Sequence, residues 1–154
     1  MPAINTDVDR LERALSDLWR RGTVGRLHAS LSEAAGVDVD RSGYLVLRRI
    51  GTEAPVRATD LAGVFGVEPS TISRHVRALT DRGWVRRIND PSDGRATLLE
   101  PTDPGADVIE RIEQERLRTL AEVLDAWDPD DRAAFAGLME RFAESLAEHL
   151  DPTT

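Results

Sequence analysis

The stretch from Leu61 to Leu99 constrains this chain more than any other, because its apolar spacing changes character twice and each change is marked by a residue the next element needs. Leu61, Ala62, Val64 and Phe65 read as a short helix, and Gly66 can then take the left-handed conformation that ends a helix without a Cβ penalty. Pro69 suits the first turn of a new helix, where its missing N–H is not needed, and the helical period runs to about Arg82 before Gly83 stops it. Two short helices joined by a tight glycine-containing turn form a helix-turn-helix. Beyond Gly83 the period shortens. Trp84, Val85 and Ile88 lie in a β-prone stretch, Asn89-Asp90-Pro91-Ser92-Asp93-Gly94 is a dense cluster of turn formers, and Ala96-Thr97-Leu98-Leu99 follows. The pattern predicts a β-hairpin wing directly behind the second helix.

Helical periodicity governs both flanks. Val8, Leu11, Leu15, Leu18 and Trp19 recur at three and four residues, and the same helix could continue past Gly22 through Leu27 and Leu31. After a lapse around Gly36 to Asp40, Tyr44, Leu45, Leu47 and Ile50 mark a second helix ending near Gly51, with Pro55 closing the connection. Thr102 offers an N-cap, with Asp103 in the first turn, to a long helix carrying Val108, Ile109, Ile112, Leu117, Leu120, Val123 and Leu124. Asp128-Pro129-Asp130 breaks it, and a last helix holds Phe135, Leu138, Met139, Phe142, Leu146 and Leu150. The fold class is therefore mainly α with a small β-hairpin wing, in one domain over residues 1–154. Residues 41–100 form the winged helix-turn-helix lobe, and residues 1–40 and 102–154 supply helices whose apolar stripes exceed what so small a middle can cover. A second copy of the chain would bury them, making the two ends dimerisation helices.

The formal net charge of -8 speaks at first against a nucleic-acid partner, but its distribution does not. Residues 1–40 carry five Arg against seven acids, residues 41–100 ten against seven, and residues 101–154 five against fourteen, giving -2, +3 and -9. The basic middle coincides with the predicted lobe and is the candidate contact surface. On the second helix of the motif, Ile72, Val76 and Leu79 fall on one face, while Ser70, Ser73, Arg74 and Arg77 fall on the other. One face packs and the other reads: Arg donates two hydrogen bonds to a guanine edge or clamps a phosphate, and Ser70, Thr71 and Ser73 offer short-range bonds to bases or backbone. Arg86 and Arg87 before the wing turn, and Arg95 after it, suit the minor groove, where the potential is most negative when the groove is narrow.

With these residues in view the sequence resembles the MarR (multiple antibiotic resistance regulator) family over nearly its whole length. The resemblance is carried by Leu61-Ala62 with Gly66-Val67, by Ser70-Thr71-Ile72-Ser73-Arg74, by Leu79 with Arg82-Gly83-Trp84-Val85, and above all by Asp90-Pro91-Ser92-Asp93-Gly94-Arg95 running to Pro101-Thr102 and Gly105. It implies that Asp93 orients Arg95 toward the minor groove. It also implies a homodimer with interlocking terminal helices, a pseudo-palindromic double-stranded DNA operator, and a small aromatic or anionic effector that releases a repressor from DNA. In the region matching the effector cleft, Trp19, His28, Tyr44 and Arg48 are the residues able to stack on or pair with such a molecule. Two positions depart from the family pattern. Pro101 stands where Leu is common, and Arg57 replaces the usual Ser or Thr helix cap, which would delay the start of the first helix of the motif.

Other classes find little support. The sequence shows no Gly-rich phosphate loop, no Cys nucleophile and no Ser in a nucleophile-elbow context, so no enzyme is expected. No cofactor is implied. His28, His75 and His149 lack metal-ligand spacing, and the absence of Cys removes thiolate zinc sites and thiol redox sensing. No apolar run reaches membrane-spanning length, which makes the cytoplasm the expected location and a membrane partner unexpected. The remaining alternative is an interaction protein that kept a winged-helix scaffold without binding DNA, and the basic surface at Arg74, Arg77 and Arg95 argues against it.

Overall fold

The computed structural model describes residues 6–20 and 22–150, apart from the side chains at 94 and 95. The order of elements is α1 (Thr6–Arg20), α2 (Thr23–Ala34), α3 (Arg41–Glu53), β1 (Val56–Arg57), α4 (Ala58–Phe65), α5 (Pro69–Asp81), β2 (Val85–Asp90), β3 (Asp93–Pro101), α6 (Asp103–Val123) and α7 (Pro129–Leu150). They divide into two compact units, residues 1–116 and 117–154, and α6 runs from the first into the second.

The first unit is organised around the face of α5 that its apolar period selects. Ile72, Val76 and Leu79 are buried against Leu61 of α4, Tyr44, Leu47 and Ile50 of α3, Val85 and Leu99 of the wing, and Val108 and Ile112 of α6. Gly66 (φ 61°) ends α4 and Gly83 (φ 72°) ends the turn after α5, both in the left-handed region the sequence reading required. The wing is an antiparallel pair, β2 with β3, and β1 adds to the other edge of β3, giving the order β1-β3-β2. β1 is two residues long, too short to carry a period in sequence, and pairs Val56 with Leu99 and Arg57 with Leu98.

Several boundaries differ from the sequence expectation, each for a local reason. The N-terminal helix does not continue past Gly22, which adopts φ 61° and starts a separate helix, α2. Gly51, expected to end α3, lies inside it. A Cβ there would stand 2.7 Å from Ile109 Cδ1, so the glycine serves the approach of α6 and not a turn. α4 begins at Ala58 immediately after Arg57, although Arg57 makes no side-chain cap, so the missing hydroxyl does not delay it. Within the cluster of turn formers, Asn89 pairs with Thr97 and Asp90 with Asp93, with an irregularity between Asn89 and Asp90, leaving Pro91 and Ser92 as the turn proper.

The joint between wing and α6 is tight. Thr102 caps α6 as its sequence position suggests, accepting the Gly105 N–H at Oγ1 (3.2 Å). The same hydroxyl donates to the Gly83 carbonyl (2.6 Å), and the Thr102 N–H donates to the Trp84 carbonyl (3.0 Å). Gly105 sits so close to the strand entry that a Cβ on it would lie 2.0 Å from the Trp84 carbonyl oxygen. Pro101 is tolerated at the end of β3, opposite Val85. In the second unit, Asp128 Oδ1 accepts the Asp130 N–H (2.9 Å) at the start of α7, and the Trp127 and Phe135 rings lie 5.4 Å apart.

Candidate nucleic-acid interface

α5 presents Ser70, Ser73, Arg74 and Arg77 exposed, with Thr71 half-buried at the edge of the same face. The opposing Ile72, Val76 and Leu79 are locked in the core, so the helix cannot rotate its reading face away without exposing them. Most Arg side chains of the first unit are engaged elsewhere. Arg48 pairs with Glu113, Arg49 with Glu53, Arg57 with Asp90, Arg82 with Asp38 and Arg86 with Glu100. Arg74, Arg77 and Arg87 hold no ion pair or hydrogen bond among the described residues and stand exposed. Three guanidinium groups with their donors unspent, on α5 and the first strand of the wing, are what a phosphate backbone and base edges require.

Arg86 differs from its neighbour Arg87. Alternation along β2 sends the two to opposite faces, and Arg86 lies beside Glu100, its cross-strand partner. Both groups of that pair keep solvent access, so the pair holds weakly and a phosphate could exchange for Glu100. The surroundings of the Arg95 side chain, and with them the expected Asp93–Arg95 pairing, lie outside the described residues.

The most engaged carboxylate of the wing is Asp90. It is 7% exposed, and its Oδ1 accepts the Ser92 hydroxyl (2.6 Å) and the Ser92 N–H (2.8 Å). Oδ2 accepts from Arg57 Nη2 at 2.5 Å. The Ser92 bonds first, then Arg57, hold this carboxyl well below the usual carboxylate range. In sequence Asp90 reads as a turn former and Arg57 as a missing cap. The misplaced cap residue was the available signal.

Of the four residues expected at an effector cleft, the structure places His28 and Tyr44 side by side. His28 is buried, with Nε2 3.1 Å from the Val39 carbonyl and 3.2 Å from Ser32 Oγ. The His28 ring lies 5.4 Å from the Tyr44 ring, and Tyr44 is itself buried. Trp19, by contrast, is 68% exposed on α1. Arg48 and Tyr44 mark a polar seam between α3 and α6: Arg48 Nε donates to Glu113 Oε1 (2.9 Å), and Arg116 Nη2 donates to Tyr44 Oη (3.2 Å).

Residues 40–97, the span of the α3 to wing geometry described above, match the model of the MarR family. The uncharacterized HTH-type transcriptional regulator YxaD of Bacillus subtilis is 30% identical over 92% of this chain and 96% of its own length. The chain belongs to the MarR family. It is a DNA-binding transcriptional regulator, a class of proteins that are not enzymes. Among solved structures, a crystal structure of MarR superposes with a TM-score of 0.69 at 26% identity, covering 97% of this chain and 95% of that one. FabT of Streptococcus pneumoniae, solved in complex with DNA, superposes with a TM-score of 0.72 over 92% of this chain and 98% of its own, at 15% identity, and so shares the fold. The winged helix-turn-helix read from the sequence is thereby shown. No helix among the described residues is long and apolar enough to cross a membrane.

Proposed function

We propose that this MarR-family regulator is a cytoplasmic homodimeric repressor that reads a pseudo-palindromic duplex. α5 enters the major groove through Ser70, Thr71, Ser73, Arg74 and Arg77, and the wing lies along the minor groove through Arg86, Arg87 and Arg95, the last oriented by Asp93. The observation that carries the reading is the exposed, unpartnered state of Arg74 and Arg77 on α5 together with Arg87 on β2. The dimer is supported by apolar side chains left exposed toward both chain ends: Leu11, Leu18 and Trp19 on α1, and Leu138, Met139 and Leu146 on α7. A two-fold protein asks for a two-fold site.

Release by a small aromatic or anionic effector is part of the same proposal, acting through Trp19, His28, Tyr44 and Arg48. The α3–α6 seam supports it, because an anion that takes Arg48 from Glu113 alters the bond between a lobe helix and the helix that leaves the lobe. The effector must prefer the DNA-incompetent state, with a coupling of about 1 to 3 kcal/mol.

The test is binding to a duplex that the protein itself selects from a random-sequence pool. Arg74→Ala and Arg77→Ala should each cost about 1 to 3 kcal/mol and relax base preference, while Arg87→Ala should weaken all sequences more evenly and flatten the salt dependence. Folded variants that all bind as wild type would remove this reading of the interface.

A further inference from the structure

The wing turn projects beyond its own sheet. β1 supports β3 only at Leu98 and Leu99, so residues from Asn89 to Thr97 form a bare two-stranded hairpin, a unit that is marginal in water by itself. One connection ties that hairpin back. Arg57, the last residue of β1 and the residue before α4, reaches Asp90 at the head of the turn, 33 positions away in sequence. Its side chain is spent on the wing and leaves the start of α4 without a side-chain cap. Asp90 in turn closes the turn on itself by accepting both Ser92 donors. The carboxylate thus fixes the shape of the turn through one oxygen and its attachment through the other. Asp60 and Asp93 also lie near enough to act on the Arg57 charge, so the guanidinium has acidic neighbours on both the α4 and the wing side.

We infer that Arg57 and Asp90 are positioning residues for DNA binding, an ion pair that locks the wing hairpin to the start of α4 and so sets where the wing reaches the duplex when α5 is in the major groove. The inference rests on the wing being a DNA contact, as proposed above. Without the pair the hairpin is free to hinge about the end of β1, and the cost falls on the wing contact, not on the contacts of α5. Arg suits the task because a planar guanidinium holds direction as well as charge, whereas an ammonium holds charge alone.

The full-length protein is compared with Arg57→Ala, Arg57→Lys and the neutral pair Arg57→Gln/Asp90→Asn, which keeps an acceptor for Ser92 and leaves no unpaired buried charge. Each is examined by thermal melting, by affinity for the duplex selected by the wild type, and by hydroxyl-radical footprinting. Arg57→Ala and the neutral pair should stay folded while melting below wild type, and should bind about five- to fifty-fold more weakly, the loss of one contact region. They should lose minor-groove protection at the flanks while keeping protection under α5. Arg57→Lys should recover only part of the affinity. Wild-type affinity and footprint in folded Arg57→Ala would overturn the inference, as would equal loss of both regions of the footprint. If all the variants unfold, the pair is a folding determinant and its positioning role is likewise refuted. Arg74→Ala, measured in parallel, separates this from the wider reading. If Arg74→Ala is silent as well, the interface itself is wrong; if Arg74→Ala weakens binding and Arg57→Ala does not, only the lock fails.

Discussion

Gly105→Ala would probe the joint between the wing and α6 with the smallest possible change, a single methyl group. Its Cβ would stand 2.0 Å from the Trp84 carbonyl oxygen, 2.8 Å from the carbonyl carbon and 3.1 Å from Cα, where ordinary contact begins at 3.4 Å. All three neighbours are backbone, so no rotamer change relieves the clash, and α6 must withdraw by about 1.4 Å, the difference between 3.4 and 2.0 Å. That displacement opens the Thr102 N–H bond to Trp84 and the Thr102 hydroxyl bond to Gly83, which span the same gap at 3.0 and 2.6 Å. Overpacking contributes about 1 to 3 kcal/mol and two lost hydrogen bonds about 1 kcal/mol each, while alanine in a helix returns about 0.5 to 1 kcal/mol relative to glycine. The expected net loss is about 2 to 4 kcal/mol. Urea unfolding followed by circular dichroism at one fixed protein concentration measures it, and with a slope of about 2 kcal/mol/M the midpoint should fall by about 1 to 2 M. Gly63→Ala is the internal control. Gly63 lies inside α4 with nothing within 4 Å of a built Cβ, so this change should stabilise by about 0.5 to 1 kcal/mol. A loss below about 0.5 kcal/mol for Gly105→Ala would refute the claim that close approach, and not turn geometry, requires glycine at this position.

Two further predictions follow from the wing and from the chain ends. The Asp90 carboxyl is held below its ordinary range in the folded protein, so its stabilising contribution is complete above the unfolded value, near pH 4, and is lost as the pH falls toward the folded one. Asp90→Asn should therefore flatten the fall of stability in acid below about pH 4, and an unchanged acid profile measured by urea unfolding would contradict this account. Removing residues 129–154 should yield aggregated or unfolded protein when examined by sedimentation and circular dichroism, because α1 loses the partner surface that the proposed dimer supplies. A well-behaved monomer that still binds DNA would defeat the proposed assembly.

Much of this protein was legible without coordinates, because its local and global signals agree. The period of Ile72, Val76 and Leu79 requires a helix with one buried face, Gly66 and Gly83 stop the helices they follow, and Thr102 caps α6. The exposed face of α5 is the complement of its buried one, so Ser70, Ser73, Arg74 and Arg77 were readable as a surface by subtraction.

The sequence by itself determined the order and type of the main elements, since turn chemistry and hydrophobic period act over a few residues. Tertiary structure decided what depends on distant partners. Gly51 reads in sequence as the end of a helix, yet it lies inside α3 facing Ile109, and Gly105 faces the Trp84 backbone. β1 exists only because β3 offers it an edge. His28 and Tyr44 are buried side by side, and Arg48 and Tyr44 meet residues of α6, 65 and 72 positions away. Arg57 shows the division most plainly. Along the chain it is a poor helix cap, and only the fold, by carrying Asp90 to it across 33 residues, gives its charge a partner. Side-chain pairing across such separations has no periodic trace in sequence, because the backbone path that creates it is set by the packing of the whole core.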